Sequence, residues 1–147
     1  MTNQRRATFA STLAFTLALA SCESSLSTND DFDPIIQNDW LAQSIAGDPV
    51  PNPERVTLSF ANGRVSGRGG CNQYSGPVEY GNGRMKIGPI ISTKMACLEN
   101  GLMQLESKYL GALQTAESYS VSSSAHLTIT TARGPLVFSA SSRQIRP

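Results

Sequence analysis

The sequence predicts an α+β domain, a compact curved antiparallel β-sheet with one amphipathic helix, preceded by a signal peptide and a flexible tether. Three observations predict it. From Trp40 to Ser139, short runs of alternating apolar and polar residues recur, separated by Gly, Asn, Pro and Ser. A single stretch, Leu98 to Ala116, instead repeats its apolar residues at three- and four-residue steps. Ahead of both lies a charged start followed by an uncharged apolar segment. At 147 residues there is room for one domain and little else.

Taken in order, Arg5 and Arg6 form a positive start and residues 7–20 carry no charge. That stretch is too short to cross a bilayer core of about 30 Å, which needs roughly 20 helical residues. It also shows no polar face beyond Thr and Ser, as a globular amphipathic helix would. The segment therefore reads as a secretory signal peptide, residues 1–21. Its end, Leu19-Ala20-Ser21-Cys22, resembles a lipobox. The resemblance implies a diacylglycerol thioether on Cys22, cleavage just before it, and membrane attachment through the lipid. Glu23 rather than Asp follows, so by resemblance to Gram-negative lipoproteins the inner-membrane retention signal is missing and the outer membrane is the default destination. Several acyl chains, at about 0.8 kcal/mol per buried CH₂, anchor stably where one is marginal. Losing Arg5 and Arg6 lowers the formal charge from +1 to −1. A near-neutral chain argues against nucleic acid or an anionic surface as a partner chosen by net charge.

Residues 22–38 are polar and acidic without periodicity, which reads as a flexible linker, although Phe32, Ile35 and Ile36 form a cluster suited to the domain edge. The domain is expected over residues 39–140, with a tail at 141–147. Trp40 opens it, and the proline-rich stretch Asp48 to Glu54 reads as an irregular loop. Val56, Leu58 and Phe60 alternate with polar residues and run into Asn62-Gly63, a tight-turn signal, so Arg64 to Arg68 is the returning strand. Pro77–Tyr80 and Arg84–Ile91 flank Gly81-Asn82-Gly83 as a second hairpin. Three further strands are expected at Tyr119–Val121, Leu127–Thr131 and Leu136–Ser139. The helix, roughly four turns within the periodic stretch Leu98 to Ala116, takes Asn100 as its N-cap, which puts Gly101 in the first turn, and carries Gly111 at a cost of about 1 kcal/mol.

Of three cysteines, Cys22 goes to lipid, leaving Cys71 and Cys97. An even pair in an exported chain reads as one disulfide, stabilising by about 3–4 kcal/mol in the chain-entropy model. A metal site needs more ligands than the single His126 supplies, and redox work usually uses a C-x-x-C spacing that is absent.

Two stretches carry a resemblance. Gly69-Gly70-Cys71-Asn72-Gln73-Tyr74-Ser75-Gly76 and Ile91-Ser92-Thr93-Lys94-Met95-Ala96-Cys97 resemble the paired signatures of the META domain, the HslJ-like family of small bacterial proteins, many of them lipoproteins. The resemblance spans about Asp39 to Phe138 and implies a compact β-rich fold with one helix. Some members are linked to stress tolerance, motility or virulence. No general enzymatic activity or cofactor comes with it.

Little else points to chemistry. Gly67-Arg68-Gly69-Gly70 lacks the Lys-Ser/Thr or third glycine of a phosphate loop. His126 has no nucleophile elbow to serve and reads as a solvent-facing strand start. Glu79 and Glu106 are not placed together by any spacing, and Glu106 reads as solvated or bonded to backbone near the cysteine loop. Asn72 and Tyr74 form the candidate binding loop, pinned by Cys71. Tyr74 would offer an amphipathic ring to a partner, or else pack in the core while Asn72 takes a left-handed φ. The expectation is a non-enzymatic envelope lipoprotein without cofactor, metal or nucleic acid, acting as a binding or envelope-maintenance module under stress toward an envelope protein or ligand. The rival is a lipid-anchored inhibitor of a cell-wall or secreted hydrolase, which an exposed aromatic or Arg on a loop would favour.

Overall fold

The computed structural model describes Asp33, residues 35–99 and residues 101–141. Residues 1–21, read above as a signal peptide, together with Cys22, most of the expected linker, Asn100 and residues 142–147 lie outside them.

Ten strands and one helix follow in order: β1 Asp39–Ile45, β2 Asp48–Pro49, β3 Thr57–Ala61, β4 Arg64–Arg68, β5 Gln73–Gly81, β6 Arg84–Ile87, β7 Ile91–Ser92, α1 Leu102–Leu113, β8 Ala116–Val121, β9 His126–Thr131 and β10 Leu136–Ser141. The sheet runs β10-β9-β8-β6-β5-β4-β3-β1-β2, and β10 pairs back onto β1. The curved antiparallel sheet is thus a closed barrel, with the short strands β2 and β7 left at its margin. Closure removes the long edges that an open sheet exposes.

Local chemistry builds the hairpins. Asn62 and Gly63 both take positive φ (52° and 67°), as do Asn82 and Gly83 (51° and 75°), the geometry of the two-residue turns that match strand twist. Alternation then directs Leu58, Phe60, Val65, Tyr74, Val78, Met85 and Ile87 inward. In β1 the register slips between Ala42 and Ser44. One extra residue there turns Ile45 rather than Ser44 into the core.

The helix is shorter than its periodicity predicts. Gly101 holds the cap position in a left-handed conformation, with no side-chain cap, and the helix begins at Leu102. Leu98, which fits the helical spacing, is fully exposed in the segment between β7 and the helix, and Ala116 opens β8. Gly101, with a φ of 89°, breaks the helical geometry, and Cys97, four residues before it, is tied to Cys71. Tyr109, Ala112 and Leu113 face the barrel core, with Tyr109 edge-on to Tyr74 and Phe138. Gly111 sits where an added Cβ would lie 2.8 Å from the Arg133 guanidinium, which packs over that face of the helix.

The linker ends earlier than residue 38. Ile35 is fully buried and its carbonyl accepts the Trp40 indole N–H at 2.9 Å. The Tyr119 hydroxyl donates to the Asp33 carboxylate. This N-terminal segment sits by the 62–63 and 82–83 hairpin tips, where Ile36 lines a cleft with Phe60, Val78 and Tyr80. The helix lies at the opposite end, beside the close of β4 and the turn before β10. The proline-rich loop is partly ordered by a 3₁₀ turn at Pro53–Arg55, capped by Asn52.

Candidate functional site: a clamped surface strap

The two signature stretches meet at the helix end of the barrel. A disulfide joins Cys71 to Cys97 with the Cα atoms 5.9 Å apart. Beside it, Asn72 is almost wholly buried, and its polar atoms are all engaged. Its backbone N–H donates to Glu106 Oε2 at 2.6 Å and its Nδ2 to Glu106 Oε1 at 3.1 Å. Its Oδ1 accepts from Met95 N at 2.7 Å and Thr93 Oγ1 at 2.9 Å, while Nδ2 also reaches Met95 O at 3.4 Å. One side-chain amide therefore ties helix α1 to the chain segment that follows β7. Gly69 makes room for this, because a Cβ there would lie 3.1 Å from Glu106 Cγ. Leaving the Asn72 N–H unpaired in this interior would cost about 1–3 kcal/mol, so Glu106 is structural before it is anything else.

Tyr74 is buried too. Its hydroxyl donates to Thr57 O at 3.0 Å and stands 2.7 Å from the Tyr109 hydroxyl. Burial, then the neighbouring Tyr109, pushes the Tyr74 phenol well above its ordinary pKa. Burial likewise raises Tyr109, against a smaller opposing effect of the Tyr74 hydrogen bond. The binding-loop reading of Asn72 and Tyr74 is corrected here. Neither side chain is presented to a partner, because the amide of one and the phenol of the other are satisfied inside the domain. Asn72 also does not have positive φ. Glu106 follows the backbone-bonded expectation, and Glu79 is elsewhere, exposed on β5 opposite Lys86. His126 is exposed at the start of β9, near Ser124.

What the clamp holds is the segment 91–99, the strap, which lies on the surface. Sequence reasoning missed its role. Ile91 is 68% exposed, Met95 56% and Leu98 100%, and Met103, in the first turn of α1, is 45% exposed. These are the large apolar side chains that stand out in solvent among the described residues. The available signal was the mismatch between a helical spacing at Leu98 and a cysteine bond at Cys97. Next to the strap, a cleft of about 430 Å³ runs between α1 and the proline-rich loop, lined by Pro51, Leu102 and Leu105. Two ion pairs cross it, Arg55–Glu99 at 2.8 Å and Lys108–Asp48. Both are exposed, and such pairs contribute at most about 1 kcal/mol. Among the described residues, no group of three or more His, Cys, Asp or Glu is placed to hold a metal ion, and no helix is long and apolar enough to cross a membrane.

A family model described as the META domain matches residues 33–143. Two solved structures are similar. One is an NMR structure of a protein from Burkholderia xenovorans, 25% identical, covering 91% of this chain and 100% of its own, with a TM-score of 0.61. Another NMR structure is 24% identical, covers 74% of this chain and 94% of its own, and has a TM-score of 0.59. No curated protein matches the chain.

Proposed function

The chain belongs to the META domain family, and from that premise we propose that it is a lipid-anchored, non-enzymatic binding module of the cell envelope, outer membrane by default, serving envelope maintenance under stress. It docks a partner protein through the strap. The observation that carries this reading is the contrast between a buried clamp and the exposed Ile91, Met95, Leu98 and Met103 that it holds in place. Exposed apolar groups on a pre-ordered segment favour association, because little conformational entropy remains to be lost on binding.

The commitments of the buried polar groups support docking over chemistry. Both Glu106 oxygens are bonded to Asn72, and the Tyr74 and Tyr109 phenols are locked on each other with raised pKa values. The proposed anchor at Cys22 agrees with the entry of the chain at the hairpin end. A tether leaving beside Asp33 would join the domain at the hairpin end, away from α1 and the strap.

The test has two parts. Intact mass of the protein from washed membranes, with and without reductant, is expected to match a Cys22-acylated start with two thiols appearing only on reduction. A Met95→Ser/Leu98→Ser variant is then expected to stay folded and anchored while losing capture of its envelope partner. An unacylated chain beginning at Met1 contradicts the anchor. Capture that survives the double substitution contradicts the strap.

A further inference from the structure

The near-neutral net charge hides a strong local imbalance. Between residues 55 and 98 the cations are Arg55, Arg64, Arg68, Arg84, Lys86 and Lys94, and Glu79 is the one acidic residue. The register shows how the fold uses this. Arg64 stands opposite Pro77, Ser66 opposite Ser75 and Arg68 opposite Gln73, while Ser75 stands opposite Ile91. Arg64, Arg68 and Ile91 therefore share the solvent face of one β4–β5–β7 patch, whose other face buries Val65, Tyr74 and Val78. Lys94 lies on the strap itself, three residues past Ile91. Arg64 bonds only Ser75 Oγ, at 3.0 Å, and none of the three cations is ion-paired among the described residues.

The backbone of the strap adds a second feature. Thr93 N–H donates to Gln73 O at 3.0 Å, and Tyr74 stands opposite Ser92. The Asn72 side chain then extends this ladder to Met95, serving both its N–H and its carbonyl. Alternate residues of a strand point their N–H and C=O groups to opposite sides. Thr93 and Met95 face inward to β5 and Asn72, so the groups of Ser92 and Lys94 face outward. Neither residue gives a backbone hydrogen bond to that outer side among the described residues.

We infer that this outer edge of the strap takes up, as an added β-strand, an extended segment of an acidic partner polypeptide. Main-chain bonds to Ser92 and Lys94 supply the pairing, Ile91 and Met95 the apolar contacts, and Lys94 beside the incoming strand, with Arg64 and Arg68 attracting from β4 across β5 and β7, favours carboxylates on it. The inference rests on the docking reading above and gives it a mode and a partner chemistry. A second copy fits poorly. Antiparallel self-pairing about Thr93 brings the two Lys94 side chains to diagonal positions, and so short an edge falls far below the roughly 1,200 Å² of a stable interface.

Three synthetic peptides test it on the folded protein by NMR titration: a short alternating Glu–Val peptide, its Lys–Val counterpart, and the Glu–Val peptide N-methylated at alternate residues. The unmodified Glu–Val peptide is expected to bind, to protect the Ser92 and Lys94 amides from exchange, and to weaken as salt rises. Replacing Arg64, Arg68 and Lys94 together by Glu is expected to weaken it by roughly tenfold or more. Failure of the Glu–Val peptide to bind, equal binding of the Lys–Val or N-methylated peptide, or shifts confined to another surface overturns the inference. The two readings fail separately. Partner capture that depends on Leu98 but leaves the Ser92 and Lys94 amides unprotected removes the edge mode and keeps the docking module, whereas loss of both removes the module.

Discussion

The clamp and the strap adjoin each other, yet they obey opposite rules. In the clamp every polar atom of Asn72 is spoken for and the tyrosines sit in the interior. On the strap, large apolar side chains stand in water on a backbone that is half paired. The first signature stretch, residues 69–76, supplies most of the clamp, and the second, residues 91–97, forms most of the strap it holds. The work of the clamp is positional: it holds an unfavourable surface segment in one shape. One motif thus joins two kinds of residue, buried ones that fix a shape and exposed ones that the shape presents.

Breaking the clamp gives the largest expected effects. Cys71→Ser/Cys97→Ser removes a crosslink spanning 26 residues, and a loss of about 3 kcal/mol in denaturant unfolding is expected. Glu106→Ala strands the buried Asn72 N–H and is expected to cost about 2 kcal/mol, with Glu106→Gln recovering part of it because one oxygen acceptor remains. Both changes should speed amide exchange at Thr93 and Met95 more than at Ile129.

The tyrosine pair sharpens the same contrast through pH. Tyr74 and Tyr109 have folded pKa values raised by burial above the ordinary value of 10.0. Below about pH 10 both states hold the protons and stability is unaffected. Above it the unfolded chain releases protons that the folded one keeps, so stability falls as pH rises. Alkaline denaturation curves should show this fall, and Tyr109→Phe should flatten it. The strap gives the smallest effect. Leu98→Ser, at a fully exposed position, is expected to change unfolding free energy by no more than about 0.5 kcal/mol while weakening partner capture.

Features set by neighbours in sequence were legible. The Asn62-Gly63 and Asn82-Gly83 turns and the β3–β4 register follow from local φ preferences and alternation. The Cys71–Cys97 bond followed from counting cysteines and is present. Barrel closure through β10 and β1 was not legible, because it joins residues about a hundred positions apart by pairings that no local pattern encodes. The helix start falls one residue later than an Asn100 cap implies, because Gly101 takes a positive φ and stands as the cap itself. Tyr74 was half-read, since an amphipathic ring suits a core or a surface equally until Tyr109 is seen beside it. The cationic patch was present in the sequence all along, but a net charge averages it away.

The central claim is that docking occurs at the strap and not at the hairpin end of the barrel. The most direct measurement places a photo-crosslinking residue at position 98 in one protein and at position 123, in the β8–β9 turn, in another, each irradiated in intact cells. The account predicts a discrete partner adduct from position 98 and none from 123. Adducts from 123 alone, or equally from both, would contradict it.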